Sequence, residues 1–143
     1  MNNGFSLNLA LQLKQQIETI SLSSIILYAQ KAYPNECCGF VLDGGIVIPA
    51  HNVIESLYDK SLNSKNAFLI DETSWKVAST HSSPIRCIYH SHPNGDAAMS
   101  PLDMATLTWT EISYLVVGLI DTRPIVAKLY WWENGLQELD IQL

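Results

Sequence analysis

The chain has 143 residues, 48% of them hydrophobic and only 15% charged, with a formal net charge of −6; that composition supports a buried core and excludes a disordered chain. Only eight Lys and Arg are present, which leaves no basic footprint for nucleic acid and no polybasic face for an anionic membrane. No apolar run approaches the roughly 18 residues of a membrane span, and Met1-Asn2-Asn3-Gly4 lacks the basic-then-apolar layout of a secretory leader, so a cytoplasmic protein is expected.

In chain order, Phe5, Leu7, Leu9, Leu11 and Leu13 alternate at period two and predict a strand over 5–13. A helix over 7–17 is the alternative, since Leu, Gln and Lys are good helix formers. Ser23 or Ser24 is placed to cap a helix running to about Ala32 and ending before Pro34. Segments 38–42 and 46–49 read as a hairpin across Asp43-Gly44-Gly45. A polar loop over 61–66, a short strand over 68–70 and a helix from Asp71 or Thr73 through Ser79 follow. A strand over 85–92, a helix from Pro101, and β-rich runs over 114–120, 125–132 and 136–143 complete the chain. No repeat or linker interrupts it, so one domain over 1–143 is expected. The alternation suggests an α/β sandwich with a curved, mixed β-sheet flanked by helices.

The chemistry concentrates in His90-Ser91-His92-Pro93-Asn94-Gly95-Asp96-Ala97-Ala98-Met99-Ser100-Pro101-Leu102-Asp103. On a strand, residues two apart point the same way, so His90 and His92 face one spot. A turn through Pro93-Asn94-Gly95 can return Asp103 to it. Two imidazoles and a carboxylate with an open fourth position form the ligand set of a catalytic zinc. Imidazole and carboxylate also accept iron, cobalt or nickel. A purely structural reading exists for each piece: the histidines as polar residues on a wet face, and Ser100-Pro101-Leu102-Asp103 as a helix start. Asp96 is a possible substitute ligand. His51 and His81 read as ordinary polar residues.

Cys37, Cys38 and Cys87 lie in or beside apolar runs and are expected to be buried and inert, although a thiol hydrolase pairing one of them with a histidine is conceivable. Trp109, Tyr130, Trp131 and Trp132 read as core and sheet face. Adjacent Trp131 and Trp132 must point to opposite sides of a strand, so one is expected to be exposed.

The spacing His90-Ser91-His92-Pro93, then Ser100, then Asp103, resembles the JAMM motif of the MPN-domain (Jab1/MPN) zinc metalloproteases. The resemblance covers roughly 20–140 and leaves 1–19 as an additional N-terminal segment. It implies an MPN-like, cytidine-deaminase-like fold, with His90, His92 and Asp103 as ligands of Zn2+. It also implies that Glu36, in Pro34-Asn35-Glu36-Cys37-Cys38-Gly39-Phe40, is the upstream acid–base. Ser100 lies where its hydroxyl could donate to the oxyanion, or where it simply caps the helix. One departure is that Met99 stands where many members have proline.

Such enzymes cleave after the C-terminal glycines of ubiquitin or ubiquitin-like proteins, and this chain looks like the minimal bacterial type. The resemblance implies as partner a ubiquitin-like protein, its precursor or its conjugates, with a homodimer or a complex with conjugation enzymes as further possibilities. A phage-tail-assembly peptidase and a non-catalytic MPN scaffold are the competing readings.

Overall fold

Residues 5–13 do not form the strand that their alternating pattern predicts. The computed structural model, which describes residues 4–57, 61–106 and 111–143, places them at the start of a long helical run: α1 (Leu7–Gln16), a π-turn (Ile17–Ser21) and α2 (Leu22–Ala32). Burial here follows the helical period. Ala10, Leu13 and Ile17 are buried, whereas Leu7 and Leu11 of the apparent stripe remain 47% and 48% exposed. Ser6 caps the run, its hydroxyl accepting the Leu9 N–H at 3.3 Å. Ser23 and Ser24 cap nothing and sit exposed within α2. The Leu22 N–H bonds the Ile17 carbonyl, an i→i+5 step that inserts one residue into the ladder. At that step buried Ser21 donates its hydroxyl to the Gly45 carbonyl at 2.7 Å. The helix ends at the expected place, Tyr33 turning extended before Pro34.

The hairpin forms as read, β1 (Cys38–Leu42) pairing antiparallel with β2 (Ile46–Ala50). Gly44 and Gly45 take the left-handed conformation that its turn requires. The short strand over 68–70 is reduced to a single bridge between Asn52 and Ile70. The third helix, α3 (Glu72–Ser79), starts where expected because Asp71 accepts the Ser74 N–H at 3.1 Å. The remaining elements are β3 (Ile85–His92), α4 (Pro101–Thr106), β4 (Ser113–Ile120), β5 (Arg123–Trp132) and β6 (Leu136–Asp140).

Among the described residues six strands form one sheet, in the order β2-β1-β3-β4-β5-β6. Only β3 and β4 run parallel, so the chain crosses over between them, and that crossover carries α4. Period two then divides the sheet. Val41, Cys87, Tyr89, Leu115 and Val117 join the core beneath α1 and α2. Phe40, Ile88, Val116 and Tyr130 join a second core with Ala78 of α3. Phe40 meets Trp75 of α3 edge-on at 4.9 Å. His90 and His92 continue the Ile88 register, so both stand on the α3 side.

Trp131 is 2% exposed and Trp132 46%, the opposite orientations expected of neighbours on a strand. Trp109 lies outside the described residues. All three cysteines are free and buried, and burial pushes the Cys37 thiol up to about 11 and the Cys87 thiol to about 12. Among the described residues no helix is long and apolar enough to cross a membrane.

Candidate metal centre

Three side chains meet at the end of β3. His90 Nε2 and His92 Nε2 each lie 3.1 Å from Asp103 Oδ2, and 3.2 Å from one another. All three residues are buried, at 1%, 5% and 6% exposure. The strand supplies the histidines by period two. The crossover supplies Asp103 from the first turn of α4, where Ser100 and Asp103 form a reciprocal cap. The Asp103 N–H donates to Ser100 Oγ at 3.0 Å, and the Ser100 N–H donates to Asp103 Oδ2 at 2.9 Å. That cap uses a lone pair of the hydroxyl, so the Ser100 O–H remains free to donate elsewhere.

The turn between strand and helix is fastened to the sheet. Gly95 takes a positive φ of 87°. Tyr130 donates its hydroxyl to the Ala97 carbonyl at 2.6 Å. Asp96 crosses above Gly118, where an added Cβ would stand 2.4 Å from its carbonyl oxygen. Asp96 thereby comes to His92, its Oδ1 lying 3.0 Å from His92 Nδ1. Asp96 therefore holds the outer nitrogen of a histidine, not a place in the triangle. This is the outer-sphere contact that fixes tautomer and ring orientation in metal-binding histidines.

The triangle suits a small divalent ion. A tetrahedral centre with bonds of about 2.0–2.1 Å has ligand-to-ligand edges of about 3.3–3.4 Å, close to the three distances here. The donor set of two imidazoles and a carboxylate fits zinc and other first-row ions alike.

Electrostatics agree with that crowding. Burial would raise the Asp103 carboxyl, but the two imidazoles hydrogen-bonded to it outweigh burial and hold it well below the usual range. His90, fully enclosed, is pushed down by desolvation, and its Nδ1 has no hydrogen-bond partner among the described residues. Burial would lower His92 too, yet its hydrogen bonds to Asp103 and Asp96 raise it to about 9.

Glu36 completes the centre. It is 5% exposed, immediately precedes the Cys37-Cys38 entry to β1, and offers a carboxylate oxygen within 4.8 Å of a ring nitrogen of both His90 and His92. Desolvation raises its carboxyl to about 8, and Oε1 has no hydrogen-bond partner among the described residues. The Glu36 N–H donates to the Ser64 carbonyl at 2.6 Å. A cavity of about 590 Å3 opens here, lined by Glu36, Lys65, His92, Pro93, Met99 and Ser100 among others.

The structure thus brings Glu36, His90, His92, Ser100 and Asp103 to one place. His51 is exposed and donates its N–H to Asp71, and His81 accepts the Ser83 N–H, so neither joins the centre. Phe68 and Asn52 escaped the sequence reading. Phe68 stacks on the His90 ring at 4.5 Å and 25°. Asn52 hydrogen-bonds the Glu36 carbonyl at 3.1 Å. No local pattern announces either, because each acts across a long sequence separation.

A family model described as prokaryotic homologs of the JAB domain matches residues 19–132, a span that leaves out α1. The chain is similar to the solution structure of a Desulfitobacterium hafniense protein, with a TM-score of 0.63 and 24% identity over 87% of this chain and 89% of that one. A Salinibacter ruber protein gives 0.55 and 22% over 84% and 85%. These two likenesses show the fold. No curated protein matches the sequence.

Proposed function

The chain belongs to the family of prokaryotic JAB-domain homologs, and from that premise we propose that it is a zinc-dependent peptidase or isopeptidase acting at the C-terminal tail of a ubiquitin-like protein. The observation that carries the reading is the triangle of His90, His92 and Asp103 with Glu36 beside it. His90, His92 and Asp103 would hold the ion. When bound, zinc supplies Lewis acidity and brings the pKa of water from about 15.7 to about 7.

The chain's own residues do the rest. Glu36 takes a proton from the attacking water and gives it to the leaving amine, a shuttle suited to a carboxyl poised near neutrality. Ser100 donates its free O–H to the oxygen of the scissile carbonyl as charge develops there. Asp96 keeps His92 oriented. The cavity beside Glu36 and Ser100 receives an extended tail, and glycines pass where side chains would clash.

The test is cleavage of a ubiquitin-like protein carrying a C-terminal extension, read by mass spectrometry with zinc content measured in parallel. The zinc-loaded protein should remove the extension, and Glu36→Gln should bind zinc equally and leave the extension in place. Intact substrate with the wild-type protein, or full cleavage by the Gln variant, would sink the assignment. An inactive protein that still captures the partner would be a scaffold.

A further inference from the structure

The side chain of Asn52 uses all of its hydrogen-bonding capacity next to the metal centre. Its Nδ2 donates to the Glu36 carbonyl at 3.1 Å and to the Ala67 carbonyl at 3.0 Å. Its Oδ1 accepts the Ile54 N–H at 3.2 Å and the Leu69 N–H at 3.0 Å. Two carbonyls on one side and two N–H groups on the other fix the orientation of the amide, because a flipped amide would oppose like groups at all four contacts. Ala67 and Leu69 flank Phe68, whose ring covers His90. One amide therefore ties the backbone of Glu36 to the backbone that presents Phe68.

Other bonds complete the arrangement. The Glu36 N–H is held by the Ser64 carbonyl, and the next peptide is held by the Ser91 hydroxyl, which accepts the Cys37 N–H at 2.8 Å. The Glu36 carboxylate itself has an oxygen without a hydrogen-bond partner among the described residues. Its position is thus set through its backbone, and Asn52 grips the carbonyl.

We propose that Asn52 is a positioning residue, holding the Glu36 peptide and the Phe68 segment in register with the His90–His92 pair so that Glu36 can move its proton. The proposal rests on the assignment of Glu36 as proton carrier. Only asparagine or glutamine combines two such donors with an acceptor, and glutamine is longer by one methylene. Aspartate keeps the shape and the acceptor but sets a carboxylate oxygen against two carbonyls.

The experiment compares zinc-loaded wild type, Asn52→Asp, Asn52→Ala and Ser56→Ala. Ser56→Ala removes the hydroxyl bond to the Val53 carbonyl in the same segment without touching Glu36. With the extended ubiquitin-like substrate, both Asn52 variants should lose about 10- to 100-fold in kcat at unchanged KM and zinc content. Ser56→Ala should stay within about twofold of wild type. Amide exchange read by NMR supplies a measure independent of turnover. The Cys37 N–H, which shares its peptide with the Glu36 carbonyl that Asn52 grips, should exchange about tenfold faster in both Asn52 variants and at the wild-type rate in Ser56→Ala.

Wild-type kcat in the Asn52 variants, or losses confined to KM or zinc content, would overturn the proposal. So would unchanged exchange at the Cys37 N–H. An inactive wild-type protein would instead sink the hydrolase assignment, while exchange at the Cys37 N–H would still decide whether Asn52 holds the Glu36–Cys37 peptide.

Discussion

Gly118→Ala tests whether the sheet beneath the crossover sets the metal site. The new Cβ would stand 2.4 Å from the Asp96 carbonyl oxygen and 2.8 Å from its carbon, both main-chain atoms, and ordinary contact begins at 3.4 Å. The loop must therefore withdraw by about 1 Å, an overpacking that costs about 1–3 kcal/mol. Asp96 Oδ1 sits 3.0 Å from His92 Nδ1; a 1 Å retreat stretches that contact beyond hydrogen-bonding range.

Loss of such an outer-sphere contact typically costs about 10- to 100-fold in metal affinity. The expected result is a metal-free Tm lower by about 3–10 °C. Zinc affinity, measured by competition with a chromophoric chelator, should fall by the outer-sphere amount. Gly118→Ala with wild-type zinc affinity would refute the reasoning, because it would show that the loop can shift without releasing His92.

Other consequences are open to direct measurement. Asp96→Ala, which removes the same contact without overpacking, should weaken zinc by about 10- to 100-fold, and in combination with Gly118→Ala should add little, as expected of one shared interaction. In the metal-free protein the His92 pKa is raised to about 9, so on the proposed function zinc would have to displace its proton at neutral pH. Zinc affinity, taken by calorimetry in buffers of different ionisation enthalpy, should rise about tenfold per pH unit toward pH 9 and then level off. An affinity independent of pH between 6 and 9 (a range of about three units) would contradict that. The free thiols are buried and their pKa values raised, to about 11 for Cys37 and about 12 for Cys87. A thiol reagent at pH 8 should therefore label them slowly in the native state and fully in denaturant, and rapid native labelling would contradict their burial.

The parts of the centre legible in the sequence were those governed by local geometry. Period two along β3 placed His90 and His92 on one face, and the serine-to-aspartate spacing of a helix cap brought Asp103 to the mouth of α4. Glu36 depended on resemblance, since nothing local distinguishes it from an acid at the end of a loop. Asn52, Phe68 and Gly118 were illegible because their roles depend on contacts that only the folded sheet creates.

At the N-terminus a different competition decides the outcome. Five alternating apolar residues imitate a strand, but Ala10 and Ile17 complete a helical stripe with Leu13, and tertiary packing selected it. The segment over 68–70 has strand-like residues but too few partners to form more than a bridge.

The surplus residue at Ile17–Ser21 acts as a phase shifter between α1 and α2. In a uniform helix each residue advances the azimuth by about 100°, so winding these same residues as an unbroken α-helix would rotate everything downstream by about that angle. Ile25 and Ala29 would swing off the sheet, and Ser21 would lose its grip on Gly45. A local irregularity thus keeps two helical halves aimed at one target, and smoothing it would unseat the half that leads into Glu36.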